Sequence, residues 1–569
     1  LYKIFFLLYK LFLKCRDVFG NPPTGYLVNE AKNQYLCEEH NGYVIFHQFV
    51  CATMKRNYPV GIQNFEEIRK GNYYYIDKTE LVYQLVSSGK YYFLSRPRRF
   101  GKSLLISTLE AYFQGKKELF KDLAIETLEK EWLEYPILHF DLNTKKYESK
   151  ASIAEILNQH LEKWEAIYGD EKRERSPEER FSYIIEKIST VTGRNVVILI
   201  DEYDKPMLQA IGNEDLLNDY RNTLKAFYGV MKSCDKYIKF AMLTGVTKFS
   251  KVSVFSDLNN LMDISIDDRF ANICGITEKE LHHYFKDDIR ELGKKNGLSE
   301  EETKVTLKKL YDGYHFVEYS DDIYNPFSIL NTFAKMKFGS YWFETGTPTF
   351  LIELLKQSKY NLYRLTEEMA SADSLGGIDT MNSNPVPILY QSGYLTIKGY
   401  DKEFQVYSLG FPNKEVEEGF TKFLLPQYAH LETGNPSFEI MSFVKDVRKG
   451  DVESFMKRLK SFFADTPYEI ARDLELHYQN VLFIVFKLLG FYTQAEYHTS
   501  NGRIDMVIKT DKYIYVMEFK LDGTAEEALT QINDKQYAVP FVTDSKKVFK
   551  IGVNFSKRTR GIEKWIVEE

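Results

Sequence analysis

Cysteine is scarce in this chain: five residues of 569, at positions 15, 37, 51, 234 and 274. They show neither the close pairing of a zinc site nor the density of a secreted disulfide scaffold, so reduced thiols in a cytoplasmic protein are expected. Long apolar runs are missing too. The opening LYKIFFLLYKLFLK is interrupted by lysines and falls short of the roughly 20 apolar residues that a membrane-spanning helix requires. No small-residue cleavage site follows it, which argues against a secretory signal and leaves an amphipathic surface helix as its one membrane role. No stable membrane association is expected. Nor does one charge dominate: 75 Lys and Arg face 81 Asp and Glu, a net −6. That gives no global field to draw in a polyanion, so contact with nucleic acid must come from local basic patches.

What is present is enough apolar sequence for roughly two to four packed domains. The chain opens with Leu1, and Cys15, Cys37 and Cys51 all precede Met54, after which ordered alternating elements begin. Met54 is therefore the expected natural start, and residues 1–57 are read as an N-terminal extension. From residue 73 strands and amphipathic helices alternate, YYYIDKTELVYQL running a strand into a helix with Asp77 and Glu80 at its start.

The stretch YYFLSRPRRFGKSLLISTLEAYF then reads as a buried strand, a loop, and a helix with Leu105, Leu109, Tyr112 and Phe113 on one apolar face. That is the order a phosphate site requires. Amides at the helix start around Gly101 can hold phosphate oxygens, Lys102 is expected to neutralise the terminal phosphates, and the Ser103 hydroxyl to ligate Mg²⁺. Arg98 and Arg99 add positive charge to the loop. Where such loops open with glycine, Arg96 stands, so conformational freedom is lost rather than a charged group.

Further on, NVVILIDEYDKP carries Val196 to Ile200 as a strand buried on both faces. Asp201 and Glu202 sit at its carboxyl end, where ligands bind in open α/β sheets. Asp201 is expected to hold Mg²⁺, directly or through water, and Glu202 to orient the attacking water as general base. YIKFAMLTGVTKFSK ends another strand in Thr244, placed either to sense a terminal phosphate or position water, or to cap the strand. YPILHFDL, between loop and carboxylate pair in chain order, is an inserted strand of the kind found in ATPases with P-loop folds. Ser176, Pro177 and Glu179 open a helix after it.

From Ile276 to about Pro426 the chain is mainly helical and lid-like, with ITEKELHHYFKDDIRELGKK as one amphipathic helix begun by Thr277 and Glu280. NPVPILYQSGYLTIKGY and EFQVYSLGFPNKEVEEGF read as helix, strand, turn, strand, helix, a winged-helix-like pattern. Its sequence is not notably basic, which favours packing over DNA binding. YWFETGTPTFL is read as buried core. In the last module, NGRIDMVIKTDKYIYVMEFK sets Asp505 on one strand and both Glu518 and Lys520 on one face of the next. Two carboxylates that hold Mg²⁺ and a lysine that stabilises charge or steers the nucleophile are what phosphodiester hydrolysis uses. Glu475 and Glu496 are rivals for a further acidic contact. Gln531 and Lys535, one turn apart on the following helix, can face a phosphate backbone. Lys546, Lys547, Lys550, Lys557, Arg558 and Arg560 are either a phosphate-tracking face or a solvated strand edge.

Together YPVGIQNFEEIRKGNYYYIDKTELVYQL, FLSRPRRFGKSLLISTL, VVILIDEYDKP and LTGVTKFSKVSVFSDLNNL resemble bacterial AAA-ATPase-like proteins that carry a C-terminal PD-(D/E)XK nuclease-like domain, over residues 55–569. In that family the loop is usually RPRRFGKS, so Arg96 follows the family. The resemblance implies an α/β P-loop NTPase parallel sheet over residues 58–275 and a helical lid with a winged-helix-like region over 276–425. It further implies an α/β restriction-endonuclease-like domain over 426–569, with its core at 470–569. The implied cofactors are ATP and Mg²⁺, and the implied activity is an ATPase coupled to Mg²⁺-dependent cleavage of nucleic acid, DNA favoured. A homo-oligomer stays open. The competing reading is a nucleotide-dependent switch or scaffold whose C-terminal domain binds nucleic acid or protein without cleaving.

Overall fold

Five consecutive apolar residues make a strand that must be covered on both faces. In the computed structural model Val196–Asp201 is such a strand, with every residue buried. The structure describes residues 27–29, 34–36, 56–170, 174–249, 260–318, 320–343, 349–375, 377, 384–429, 431, 435–463, 474–490, 494–500, 503–541 and 545–569. Residues 1–57 form a unit of their own, of which Leu27–Asn29 (β1) pairs antiparallel with Gln34–Leu36 (β2). The expected start at Met54, the opening amphipathic segment and Cys15, Cys37 and Cys51 lie outside the described residues.

The second unit begins at Tyr58. Its first sheet is parallel and built from Tyr91–Ser95 (β3), Ile137–Asp141 (β4), Val196–Asp201 (β5), Ile238–Gly245 (β6) and Met262–Asp263 (β7). Its spatial order is β4-β5-β6-β3-β7. The inserted strand β4 therefore lies outside β5, and it is β6 that separates the loop strand β3 from the carboxylate strand β5. Register aligns Ser95 with Gly245 and Asp141 with Asp201, so the loops that follow these strands share one edge. Each fully buried aliphatic side chain of β5 contributes roughly 1.5–3 kcal/mol, which makes this sheet a rigid base for that edge.

Local signals hold in part. Ser176 and Glu179 form a reciprocal capping box, as do Thr277 and Glu280. Asp77 and Glu80 do not: the helix Thr79–Ser88 has no side-chain cap. Asp77 instead accepts from the amide and hydroxyl of Thr79 and from the amide of Ala124 at 2.7–2.8 Å, fastening two helices together. The expected single helix after Ile276 is two, Glu278–Tyr284 and Lys286–Asn296. The break at Phe285 lets its ring pack against Tyr74 and Phe333, with centroids 4.9 and 5.1 Å away.

With Glu300–Tyr311 and Pro326–Lys335 these helices enclose a separate apolar core, joined by the short pair Ile276–Thr277 (β8) and Ile323–Tyr324 (β9). The helix Val386–Gln391, strands Thr396–Asp401 (β11) and Val406–Gly410 (β12) and the helix Lys414–Tyr428 follow the winged-helix-like order, with Glu368–Ser371 (β10) added on β12.

The last sheet runs in chain order: Gln494–Ser500 (β13), Arg503–Lys509 (β14), Tyr513–Leu521 (β15), Lys547–Ser556 (β16) and Gly561–Glu568 (β17). Only β15 and β16 are parallel, and the helix Ala525–Asp534 makes that crossover. Polar contacts from one helix stitch this domain to the middle region. Asn480, on the helix Leu474–Gly490, accepts from the Leu362 amide and donates to the Tyr360 carbonyl at 2.9 and 3.1 Å. Lys487 on the same helix pairs with Glu417 at 2.6 Å.

Glu415 is buried at the start of Lys414–Tyr428, where burial raises its pKa from 4.5 to about 7, against the opposing hydrogen bonds from Ser328 and the Trp342 amide. Between those values the folded chain holds a proton that the unfolded chain has released, so stability falls as pH rises from about 4.5 to about 7, by roughly 3 kcal/mol in all. Glu415→Gln should flatten this dependence: melting curves from pH 5 to pH 8 are expected to shift less in the variant than in the wild type.

Candidate functional site

The loop after β3 turns its carbonyls away from an open edge. Lys102 Nζ donates to the carbonyls of Arg96 and Pro97 at 3.1 and 3.3 Å. The Trp342 indole donates to the Arg98 carbonyl at 2.9 Å, and the Gly275 amide to that of Phe100 at 3.2 Å. The helix Lys102–Phe113 starts without a side-chain cap, and the amides of Gly101, Lys102 and Ser103 have no protein acceptor among the described residues. Gly101 has φ 101°, a conformation that side-chain-bearing residues rarely adopt.

Arg96 answers for the missing glycine. It is absent from the left-handed region, whereas Arg99 is in it at φ 65°, so the conformational demand has moved along the loop. The Arg96 side chain points below the loop, only 1% exposed, donating to the carbonyls of Ser95, Ser265 and Ala271 at 2.7–3.3 Å. Phe316 lies against its guanidinium at 4.2 Å. Burial lowers its pKa, but the carbonyl oxygens and the ring face compensate the charge.

A cavity of about 570 Å³ lies over the helix start, lined by Arg98, Arg99, Lys102, Ser103, Glu202 and Lys205. None of its four cations forms an ion pair within 4.0 Å among the described residues. They face the single carboxylate of Glu202, and burial together with Arg98 lowers the pKa of Arg99. Such unpaired positive charge in a cleft favours a polyanion. Pro59 to Gln63 line the cavity as well, and the middle region closes it with Phe327, Leu330, Trp342 and Tyr394.

The strand-end carboxylates have different surroundings. Glu202 sits in the left-handed region at φ 55°, an arrangement costing about 1–2 kcal/mol that projects it to the cavity. Asp201 is buried; its Oδ1 accepts from the Thr244 hydroxyl at 2.5 Å and from the Glu202 amide at 3.1 Å. Thr244 is fully buried and absent from the cavity wall. Its hydroxyl holds Asp201, which is likewise not on that wall, an arrangement that favours the strand-end role over direct contact with a ligand.

Sequence reading passed over several residues here. Asp204, fully buried, accepts from the amides of Val246 and Thr247 at 3.1 and 2.6 Å, and burial together with nearby Glu202 raises its pKa to about 6. It pins the turn after β6. Lys205 and Asn143 both reach the cavity; the strand-end position of DEYDK and of FDLN was the available signal.

At the C-terminal sheet, register makes Asp505 the direct partner of Glu518. Glu518 is fully buried and lies 3.0 Å from Lys520 Nζ, which also donates to Gln531. Ile514 and Val516 share their face and pack with Ile532 of the crossover helix. Asp505, Glu475 and Glu496 are placed by backbone alone, and Gly502 lies outside the described residues. Much of the basic cluster is neutralised: Lys547 pairs with Glu569, Lys550 with Glu568, Lys557 with Asp522 and Arg558 with Glu563, at 2.6–3.1 Å. This leaves less unpaired charge for a phosphate-tracking face than the sequence alone suggests. Among the described residues no cluster of three or more His, Cys, Asp and Glu is arranged to hold a metal, and no helix is long and apolar enough to cross a membrane.

The family model described as a predicted AAA-ATPase matches residues 59–255, and that of the PD-(D/E)XK nuclease superfamily matches residues 473–565. The chain is 34% identical over 528 residues to a protein of Azotobacter chroococcum mcd 1 described as an uncharacterized protein in the vnfD 5′ region, covering 90% of this chain and 99% of that one.

Arg96→Gly, which restores the residue usual in phosphate loops, should destabilise the protein by roughly 2–4 kcal/mol, because it removes the cation that occupies three buried carbonyls. Urea unfolding followed by tryptophan fluorescence checks this; equal or greater stability would refute the assignment of Arg96 as a strut.

Proposed function

The chain belongs to the family of AAA-ATPase-like proteins that end in a PD-(D/E)XK nuclease superfamily domain, and we propose that it binds and hydrolyses ATP with Mg²⁺ and cleaves nucleic acid, DNA above RNA, in its C-terminal domain. The observation that carries the first half is the cavity in which unpaired Arg98, Arg99, Lys102 and Lys205 meet the open amides of Gly101 to Ser103. A triphosphate supplies the matching negative charge. Lys102 exchanges the carbonyls of Arg96 and Pro97 for phosphate oxygens, so it gives up existing hydrogen bonds for charge-assisted ones. The base lies along the wall that includes Ile62, Phe327 and Leu330.

The donor set fits Mg²⁺, which keeps several waters and takes one or two protein oxygens together with phosphate. Ser103 on the cavity wall and Asp201, buried at the end of β5 with Oδ1 held by Thr244, would be those ligands. When bound, the ion neutralises charge on the terminal phosphates. Glu202 accepts the proton of the attacking water, held out by its left-handed backbone.

For the C-terminal half, cross-strand partners share a sheet face, so Asp505 and Glu518 are the metal-holding carboxylates and Lys520 the group that meets the developing phosphoryl charge. A second reading, a nucleotide-dependent switch that binds without cutting, is favoured by one observation: the neutralised basic cluster leaves little free charge for a backbone. The domains are read as 58–275, 276–425 and 426–569, in a cytoplasmic protein free to self-associate.

Lys102→Ala is expected to abolish binding of a fluorescent ATP analogue, and Glu202→Gln to retain binding while lowering hydrolysis by about 10²–10⁴-fold. Asp505→Ala or Lys520→Ala should eliminate Mg²⁺-dependent digestion of labelled DNA without altering ATP binding. Wild-type protein that retains DNA yet never nicks it would establish the switch reading instead.

A further inference from the structure

The middle region does more than cover the cavity. A buried indole N–H needs an acceptor, and that of Trp342 takes the Arg98 carbonyl, inside the phosphate loop, across 244 residues of chain. Because a peptide unit is planar, holding the Arg98 carbonyl also fixes which way the amide of Arg99 points. Lys102 holds the neighbouring carbonyls of Arg96 and Pro97, but those bonds are lost when the ammonium turns to a phosphate. The Trp342 bond comes from outside the loop and does not depend on that ammonium.

Trp342 is itself held. Its amide donates to Glu415 Oε1 at 2.7 Å, while Glu415 Oε2 accepts from Ser328 at 2.7 Å. The next ring, Phe343, fills a notch at Gly419, where an added Cβ would come within 2.6 Å of it. Residues 342 and 343 are thus seated on the helix Lys414–Tyr428. Two residues after Glu415, Glu417 meets Lys487 at 2.6 Å on the helix Leu474–Gly490, which leads into the C-terminal sheet. One helix therefore touches the C-terminal domain directly and the phosphate loop through Trp342 alone.

We propose that Trp342 is a positioning residue of the nucleotide site, and that the path Arg98, Trp342, Glu415, Glu417, Lys487 transmits occupancy of the loop to the C-terminal domain. The proposal rests on the ATP-binding reading above. It requires a two-state element that both sites bias, and the proposal gives that part to the helix Lys414–Tyr428, which contacts Trp342 and Lys487.

The experiment is hydrogen exchange by mass spectrometry on the full chain, with and without Mg²⁺ and a non-hydrolysable ATP analogue, alongside the analogue's affinity. In the wild type the analogue should change exchange over residues 474–490 by about twofold or more. Trp342→Phe keeps the ring and removes the donor; it should bind about 5–10-fold more weakly and show no change at 474–490 even at saturation. Lys487→Met should bind as the wild type does and lose the same response. Unchanged ligand-free exchange over β5 in each variant certifies the fold, and a purely structural tryptophan would not separate binding from transmission. If either variant still transmits, the path is wrong. A wild type that binds the analogue with no change at 474–490 overturns the relay alone, whereas a wild type that binds no analogue overturns the ATP-binding reading and the relay with it.

Discussion

A phosphate loop has to leave amides free, and it can do so only if its carbonyls are occupied by something else. In this chain the occupants come from four places: Lys102 on Arg96 and Pro97, Trp342 on Arg98, Gly275 on Phe100, and the helix itself through the Leu105 amide on Gly101. The first glycine of such loops becomes dispensable once this scheme is in place. Arg96 has no left-handed backbone to accommodate, and its side chain serves as a strut under the loop.

The two centres differ in how ready they are. The N-terminal cavity holds cations without carboxylate partners beside open amides, so a polyanion meets donors that are already oriented and poorly compensated. In the C-terminal sheet Lys520 is already engaged by Glu518 and Gln531, with Glu518 fully buried. Any substrate there competes with existing contacts. The helix Lys414–Tyr428 contacts both Trp342, which holds the loop of the first domain, and Lys487 of the last.

The middle region therefore completes the cavity of the first domain. Its aromatic residues close the cavity, and Gln391 accepts the Lys248 amide at 2.7 Å just beyond the turn that Asp204 pins. The stretch YWFETGTPTFL reads as core from its apolar character. Trp342 is indeed buried, yet its indole N–H, invisible to any hydrophobic pattern, is what joins it to the loop.

Strand period and turn chemistry determined much by themselves: the buried run Val196 to Ile200 with Asp201 and Glu202 at its end, the loop strand and helix around Gly101, and the shared face of Glu518 and Lys520. These are properties of neighbouring residues, and local geometry decides them. Tertiary structure alone decided that β6 lies between loop and carboxylate strands, that Thr244 turns to Asp201 and away from the cavity, and that Arg96 points downward. It also decided that Lys547, Lys550 and Lys557 meet carboxylates far along the chain. Each of these depends on which distant group fills a buried donor or acceptor, and a linear pattern records the residue types available for that pairing without recording their distances.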